Sequence, residues 1–82
     1  MRNQVNFYTK QNCLLCDEAK SLLMVLQGEY EFELNELDIY EDEKLLEKYH
    51  LTIPVVEVNG EELDGAQMDL PHLQKLFDKN LK

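Results

Sequence analysis

Both cysteines of this 82-residue chain lie in a single Cys-x-x-Cys motif, at Cys13 and Cys16. A strand-like run ends just before the motif, and an amphipathic helical run begins inside it. A cysteine at the first turn of a helix faces unpaired backbone N–H groups and the positive end of the helix dipole, and both favour the nucleophilic thiolate. A second cysteine three residues on lies on the same side of that turn, where it can attack a mixed disulfide. The motif in this setting therefore indicates thiol–disulfide redox chemistry.

Helical spacing gives the two sulfur atoms different environments. Two overlapping apolar stripes follow the motif, one through Leu15, Ala19, Leu22 and Leu26, the other through Cys16, Ala19, Leu23 and Leu26. Cys16 continues a buried stripe, whereas Cys13 lies at or just before the helix start. We therefore expect Cys13 to attack the substrate and Cys16 to resolve the mixed disulfide. Two alternatives stay open: Cys13 as an inert buried thiol, and Cys16 as a small core residue beside a monothiol nucleophile.

Charged neighbours set the expected reactivity of Cys13. Lys10 and the helix N-terminus favour its thiolate, whereas Asp17 and Glu18 oppose it. We expect the pKa of the Cys13 thiol to be lowered, but less than in strongly oxidising thiol proteins. A less stabilised thiolate means a less stabilised reduced form, and hence a more reducing couple.

The rest of the chain predicts the element order β-α-β-α-β-β-α. Residues 3–9 form the first strand, and the helix after the motif ends near Gly28. A second strand is expected over residues 31–39, with a bulge or an early end near Asn35 because the apolar residues change parity there. A short helix over residues 41–50 follows. Its acidic residues come early and a lysine comes late, as the helix dipole prefers.

A hairpin and a last helix complete the prediction. Residues 52–58 form a β-branched run, and Asn59-Gly60 after it is the strongest short-range hairpin signal in the chain. The second arm is expected over residues 61–63. Asp69 is placed to cap the final helix.

These elements predict a thioredoxin-like α/β fold for a single domain over residues 1–82. A right-handed crossover makes the first two strands parallel, and the hairpin adds an antiparallel pair. The result is a four-stranded mixed sheet with helices on both faces. Met24 is expected to fill the core and Met68 to lie in a loop.

Composition restricts the partners and the compartment. The net charge is −9, from 8 basic and 17 acidic residues, which argues against nucleic acid and anionic membrane surfaces as partners. The longest apolar run, around residues 22–26, is too short to span a bilayer, and the N-terminus carries no signal-like segment. We therefore expect a cytoplasmic protein with reduced thiols, in which a close cysteine pair is catalytic rather than a staple.

Three landmarks together resemble the glutaredoxin family over nearly the whole chain. The segment from Tyr8 to Cys16, with Lys10 three residues before the first cysteine, is similar to the family's active-site segment. Thr52-Ile53-Pro54-Val55 resembles the Thr-Val-Pro segment, whose proline is cis and faces the cysteines. Asn59-Gly60 followed by Asp64-Gly65 resembles the last hairpin and the Gly-Gly turn.

The resemblance implies a substrate or glutathione site made by Lys10, Ile53, Pro54, Gly65 and Gln67. Within it, the backbone of Ile53 would pair with an extended substrate. The interior of the motif departs from the family, since Cys-Leu-Leu-Cys replaces the usual Cys-Pro-Tyr-Cys.

The turn after the hairpin also departs from the family pattern. It has Asp64-Gly65-Ala66-Gln67 in place of Gly-Gly-x-Asp. This change removes the aspartate that normally holds the γ-glutamyl end of glutathione, and Asp64 adds a negative charge there.

The function expected from these features is a dithiol oxidoreductase that reduces protein or glutathione mixed disulfides. Its electron donor is expected to be glutathione or a flavoprotein of the thioredoxin reductase type. We expect a monomer without a tightly bound cofactor. We also expect no metal, because the separation of His50 and His72 does not match zinc-ligand spacing.

Two other classes of function stay open at this point. In one, two chains share an iron–sulfur cluster through Cys13 of each chain and external thiols. In the other, the domain is a redox-sensing or docking module with little turnover, in which the acidic surface matters most.

Overall fold

The computed structural model describes residues 3–81, which form a four-stranded mixed sheet and three α-helices. In chain order the elements are β1 (Asn3–Thr9), α1 (Leu14–Leu26), β2 (Phe32–Asp38), α2 (Glu43–Tyr49), β3 (Val55–Val58), β4 (Glu61–Leu63) and α3 (Leu70–Asn80). The strand order is β2-β1-β3-β4; β1 and β2 are parallel, and the other neighbouring pairs are antiparallel. This confirms the predicted element order and thioredoxin-like fold.

The sheet buries a different apolar cluster on each face. The larger cluster contains Val5 and Phe7 from β1 with Val56 and Val58 from β3, covered by α1 and α3. The smaller cluster contains Val55 and side chains from the segment around α2. Because side chains alternate along a strand, neighbouring residues of β1 and β3 reach opposite clusters. The prediction of helices on both faces is confirmed.

The bulge predicted near Asn35 is wrong. The pairing of β1 with β2 runs without interruption from Asn3 opposite Phe32 to Thr9 opposite Asp38. The apolar parity changes because Ile39 lies beyond the strand, in a 3₁₀ turn, and belongs to the smaller cluster. Phe32, in contrast, packs in the larger cluster on the other face.

Only one of the two apolar stripes of α1 is buried. Cys16, Ala19, Leu23 and Leu26 face the sheet, whereas Leu15 is 60% exposed. Met24 is also exposed, at 61%, so its prediction as core filler is wrong. The helix packs through one narrow face, because a single layer of sheet lies beneath it. No helix within residues 3–81 is long and apolar enough to span a membrane.

The turns follow the local sequence signals. Asn59 and Gly60 have φ values of 53° and 84°, which suit a two-residue hairpin turn with the twist of its strands. The Asp69 carboxylate caps α3 by accepting the N–H of His72 at 2.9 Å. Both predictions are confirmed.

The topology gathers the motif and the later landmarks at one edge of the sheet. Because β3 runs antiparallel to β1, its amino end lies beside the carboxyl end of β1. β4 reverses direction again, so its carboxyl end lies at the same edge. The segments before β3 and after β4 therefore meet near the Cys-x-x-Cys motif.

Candidate active site

Cys13 and Cys16 form a disulfide at the start of α1, with 5.2 Å between their Cα atoms. Cys13 is the N-cap of the helix, in an extended conformation. Its Sγ accepts the backbone N–H of Cys16 at 3.1 Å, and its carbonyl accepts the N–H of Asp17 at 3.0 Å. Asn12, just before it, has a φ of 56°, a left-handed conformation that asparagine tolerates. This turn places the first sulfur at the positive end of the helix.

The two sulfur atoms differ in exposure as the helical spacing predicts. Cys16 is 2% exposed and packs in the larger cluster, whereas Cys13 is partly exposed at its edge. The N–H that reaches Sγ of Cys13 and the helix dipole both favour a thiolate at Cys13 once the disulfide is reduced. The geometry therefore supports the attacking role of Cys13 and the resolving role of Cys16, which stay predictions.

Pro54 and Gly65 form a tightly packed pair beside the motif. The Ile53–Pro54 peptide bond is cis, and the Pro54 side chain is fully buried. The N–H of Gly65 donates to the carbonyl of Thr52 at 2.9 Å. A Cβ on Gly65 would lie 2.9 Å from the carbonyl oxygen of Ile53 and 3.0 Å from Cδ of Pro54. Only glycine therefore lets the turn after β4 approach this loop so closely.

The backbone of Ile53 is already engaged on its donor side. Its N–H donates to the carbonyl of Tyr49 at 3.0 Å, and the N–H of Thr52 donates to the same carbonyl at 2.9 Å. In this conformation, an extended substrate that pairs with Ile53 would bond to the Ile53 carbonyl and not to the Ile53 N–H.

A groove of about 310 Å³ runs along α1 beside Pro54; we call it the Pro54 groove. Most of its lining residues are apolar, and Glu18 is the one charged residue among them. The lining comes from Leu15, Glu18, Ala19, Ser21, Leu22, Pro54, Gly65 and Met68. Leu15 lies between the two cysteines, so the groove begins at the redox motif.

A second depression, of about 390 Å³, reaches Cys16 from another side; we call it the polar pocket. Lys10 lies here and not in the Pro54 groove. Beside it, Nζ of Lys20 lies 3.0 Å from Oε1 of Glu36. The grouping of Lys10 with Pro54 and Gly65 that the resemblance implies stays a prediction.

Gln67 lies in the same turn as Gly65 but does not line the Pro54 groove. It belongs to the 3₁₀ turn Gly65–Gln67 and lines a different surface depression with His72 and Lys75. Asp64 begins that turn, and its carboxylate accepts the N–H of Ala66 at 3.0 Å. The structure therefore brings Pro54 and Gly65 together, and the binding role of Gln67 stays a prediction.

The rim of the motif carries exposed apolar side chains that were not expected as site residues. Leu14 is 73% exposed and Leu15 is 60% exposed. Helical spacing indicates this exposure of Leu15, because the adjacent residues Leu15 and Cys16 cannot both face the sheet. Leu22 and Met68 extend the apolar surface away from the motif along the Pro54 groove.

Acidic residues close to the Pro54 groove serve as helix caps. Asp69 follows Met68, and backbone and side-chain hydrogen bonds from His72 lower the pKa of its carboxyl group. Oδ1 of Asp69 lies 2.6 Å from Nδ1 of His72. Asp64 precedes Gly65 at the other end of the same turn. Within residues 3–81, no group of three histidine, cysteine, aspartate or glutamate side chains is arranged to hold a metal ion.

Several solved structures share this fold over most of the chain. Protein XcR50 from X. campestris is 29% identical, with a TM-score of 0.78, and the match covers 92% of this chain and 96% of that one. Protein Ne2328 from Nitrosomonas europaea is also 29% identical, with a TM-score of 0.76 and coverages of 93% and 92%. A mutant thioredoxin from Halobacterium salinarum, 19% identical, matches with a TM-score of 0.73 over 96% of this chain and 74% of its own.

A protein-family model also matches the sequence. The model described as glutaredoxin-like domain (DUF836) matches residues 4–78, a range that holds the Cys13–Cys16 disulfide, the loop with Pro54 and the turn with Gly65. With its thioredoxin-like fold and its Cys-x-x-Cys disulfide, the chain belongs to the glutaredoxin-like (DUF836) family.

Proposed function

We propose that this protein is a dithiol oxidoreductase that reduces protein disulfides or glutathione mixed disulfides through Cys13 and Cys16. The observation that carries the proposal is the contrast between the two sulfur atoms. Cys13 is the partly exposed N-cap of α1 and accepts an N–H at Sγ, while Cys16 is buried directly behind it. Membership of a glutaredoxin-like family supports the same chemistry.

The reaction follows from this arrangement in two exchanges. In the reduced protein, the Cys13 thiolate attacks one sulfur of the substrate disulfide, forms a mixed disulfide and releases the other substrate sulfur as a thiolate, which takes up a proton. Cys16 then loses its proton to solvent and attacks Sγ of Cys13. The second substrate thiol leaves, and the Cys13–Cys16 disulfide forms. Two electrons have passed from the protein to the substrate.

A reductant must return those two electrons to the disulfide. Two molecules of glutathione would do so by leaving as glutathione disulfide, and a flavoprotein of the thioredoxin reductase type would do so by dithiol exchange. The polar pocket extends to Cys16, on the solvent side of the buried cysteine.

The test is catalysed reduction of insulin disulfides with dithiothreitol as the reductant. We expect the wild-type chain to accelerate insulin reduction well above the dithiothreitol background, and Cys13→Ser to give only the background rate. Glutathione with glutathione reductase, and separately thioredoxin reductase with NADPH, then identify the donor. A wild-type rate equal to that of Cys13→Ser with every donor would overturn the proposal.

A further inference from the structure

The Pro54 groove begins inside the redox motif. Leu15, which lies between the two cysteines in sequence, lines its start, and Pro54 and Gly65 form part of its wall. A substrate whose disulfide sulfur reaches Cys13 can therefore place the neighbouring part of its chain along this groove. This step rests on the proposed function.

The lining of the Pro54 groove favours an apolar side chain. Leu15, Leu22 and Met68 present hydrocarbon or thioether surface. Leu15 is 60% exposed, so most of its surface is still in contact with water before a substrate binds. Covering that surface with an aliphatic or aromatic side chain releases the water and stabilises the complex.

The charge around the Pro54 groove favours a cationic flank. Glu18 lines the groove, and none of the described residues that line it is lysine or arginine. Asp64 precedes the lining residue Gly65 and caps the 3₁₀ turn that follows it. Asp69 follows the lining residue Met68 and caps α3. Lys20 lines the polar pocket instead, where its Nζ lies 3.0 Å from Oε1 of Glu36. An incoming carboxylate would meet acidic groups, whereas an incoming ammonium or guanidinium would be attracted.

We propose that the Pro54 groove is the specificity site for protein disulfides in which a large apolar residue and a lysine or arginine flank the reactive cysteine. Glutathione is a poor match, because its two carboxylates outweigh its one ammonium group and it has no large apolar side chain. The apolar residue fills the Pro54 groove, and the basic residue lies against Glu18. The exchange chemistry itself is the one given above.

The test uses short synthetic peptides with one cysteine, each as a mixed disulfide with 2-nitro-5-thiobenzoate, whose release is coloured. Four peptides combine leucine or alanine beside the cysteine with lysine or glutamate one residue further. The glutathione adduct is a fifth probe, and the neutral bis(2-hydroxyethyl) disulfide reports basal exchange. Reduced wild-type protein in stopped-flow mixing gives a second-order rate constant for each probe.

We expect leucine to raise the rate constant roughly tenfold over alanine, from burial of the side chain in the groove. We expect lysine to be favoured over glutamate by several-fold at low ionic strength, with the preference shrinking as salt is added. The glutathione adduct should react no faster than the alanine–glutamate peptide.

Charge reversal in the protein makes the test specific. Glu18→Lys should reverse the preference, so that the glutamate peptide reacts faster than the lysine peptide. Because this is a ratio of two rates on one protein, a change in the reactivity of Cys13 cancels. Glu47→Lys makes the same change in net charge at an exposed position of α2, outside the groove lining, and should keep the wild-type preference.

The outcomes separate the two proposals. Equal rate constants for all four peptides, with normal exchange of the neutral disulfide, would overturn the groove and leave the proposed function standing. A reversed preference in Glu47→Lys as well as Glu18→Lys would also overturn it, because overall charge would then explain the effect. Absence of exchange with every probe would overturn the proposed function and the groove together.

Discussion

Replacing Gly65 with alanine would press a methyl group against the loop that carries Pro54. The new Cβ would lie 2.9 Å from the carbonyl oxygen of Ile53 and 3.0 Å from Cδ of Pro54, whereas ordinary contact begins at 3.4 Å. The methyl group is therefore about half an ångström too close on two sides. Neither neighbour can rotate away, because one belongs to the main chain and the other to a proline ring. The turn after β4 must shift.

The cost of this shift can be worked out from two contributions. Overpacking of a well-packed site costs about 1–3 kcal/mol. Moving the turn also weakens the hydrogen bond from the Gly65 N–H to the carbonyl of Thr52, at 2.9 Å, which contributes about 1 kcal/mol. We expect the free energy of unfolding to fall by about 2–4 kcal/mol, which lowers Tm by roughly 10–30 °C for a domain of this size.

The assay is urea unfolding followed by circular dichroism, with all proteins in the same disulfide state. Gly28→Ala is the matched control, because its new Cβ would meet only the carbonyl oxygen of Val25, at 3.3 Å. We expect the control to change the free energy of unfolding by less than about 0.5 kcal/mol, as at most surface sites. If Gly65→Ala is as mild as the control, the reasoning about close approach is refuted.

Two further predictions concern side-chain hydrogen bonds. Tyr49→Phe removes the hydrogen bond from the buried phenol to Glu62 and should lower the free energy of unfolding by about 1 kcal/mol, measured in urea. Burial and Glu62 raise the pKa of Tyr49 in the folded protein. The stability that its phenol contributes is therefore full below about pH 10, the unfolded pKa, and is lost as the pH rises through the folded pKa. Tyr49→Phe should lose less stability in alkali than the wild type, and an equal alkaline loss would contradict this. The pKa of Asp69 is instead lowered from 3.8 by its bonds from His72, so its contribution is present above that value and is lost as the pH falls through the folded one. Asp69→Asn should be less stable than the wild type at pH 7 and lose less stability between pH 4 and pH 2, and parallel acid curves would contradict this.

The fold could be predicted from the sequence where local signals and tertiary packing agree. Asn59-Gly60 specifies a two-residue hairpin turn through its positive φ angles, and Asp69 caps α3 through a contact within one helical turn. Cys16 was placed correctly on the buried stripe of α1, because helical spacing depends only on the local chain.

The predictions failed where the outcome depends on which surfaces the sheet covers. The apolar residues of the second strand change parity before Ile39, as they would at a bulge. The reason is instead that Phe32 and Ile39 belong to clusters on opposite faces of the sheet. Met24 has core chemistry but lies on the face of α1 that no other layer covers. The close approach of Gly65 to Pro54 also depends on packing between distant segments.

The central claim, that Cys13 attacks and Cys16 resolves, is tested most directly by trapping the mixed disulfide. Reduced Cys16→Ser is mixed with a protein disulfide, quenched with acid, digested without reductant and mapped by mass spectrometry. We expect a stable mixed disulfide at Cys13 in this variant, and none in Cys13→Ser under the same conditions. An adduct at Cys16 of Cys13→Ser, or full multiple turnover by Cys16→Ser without a trapped species, would contradict it.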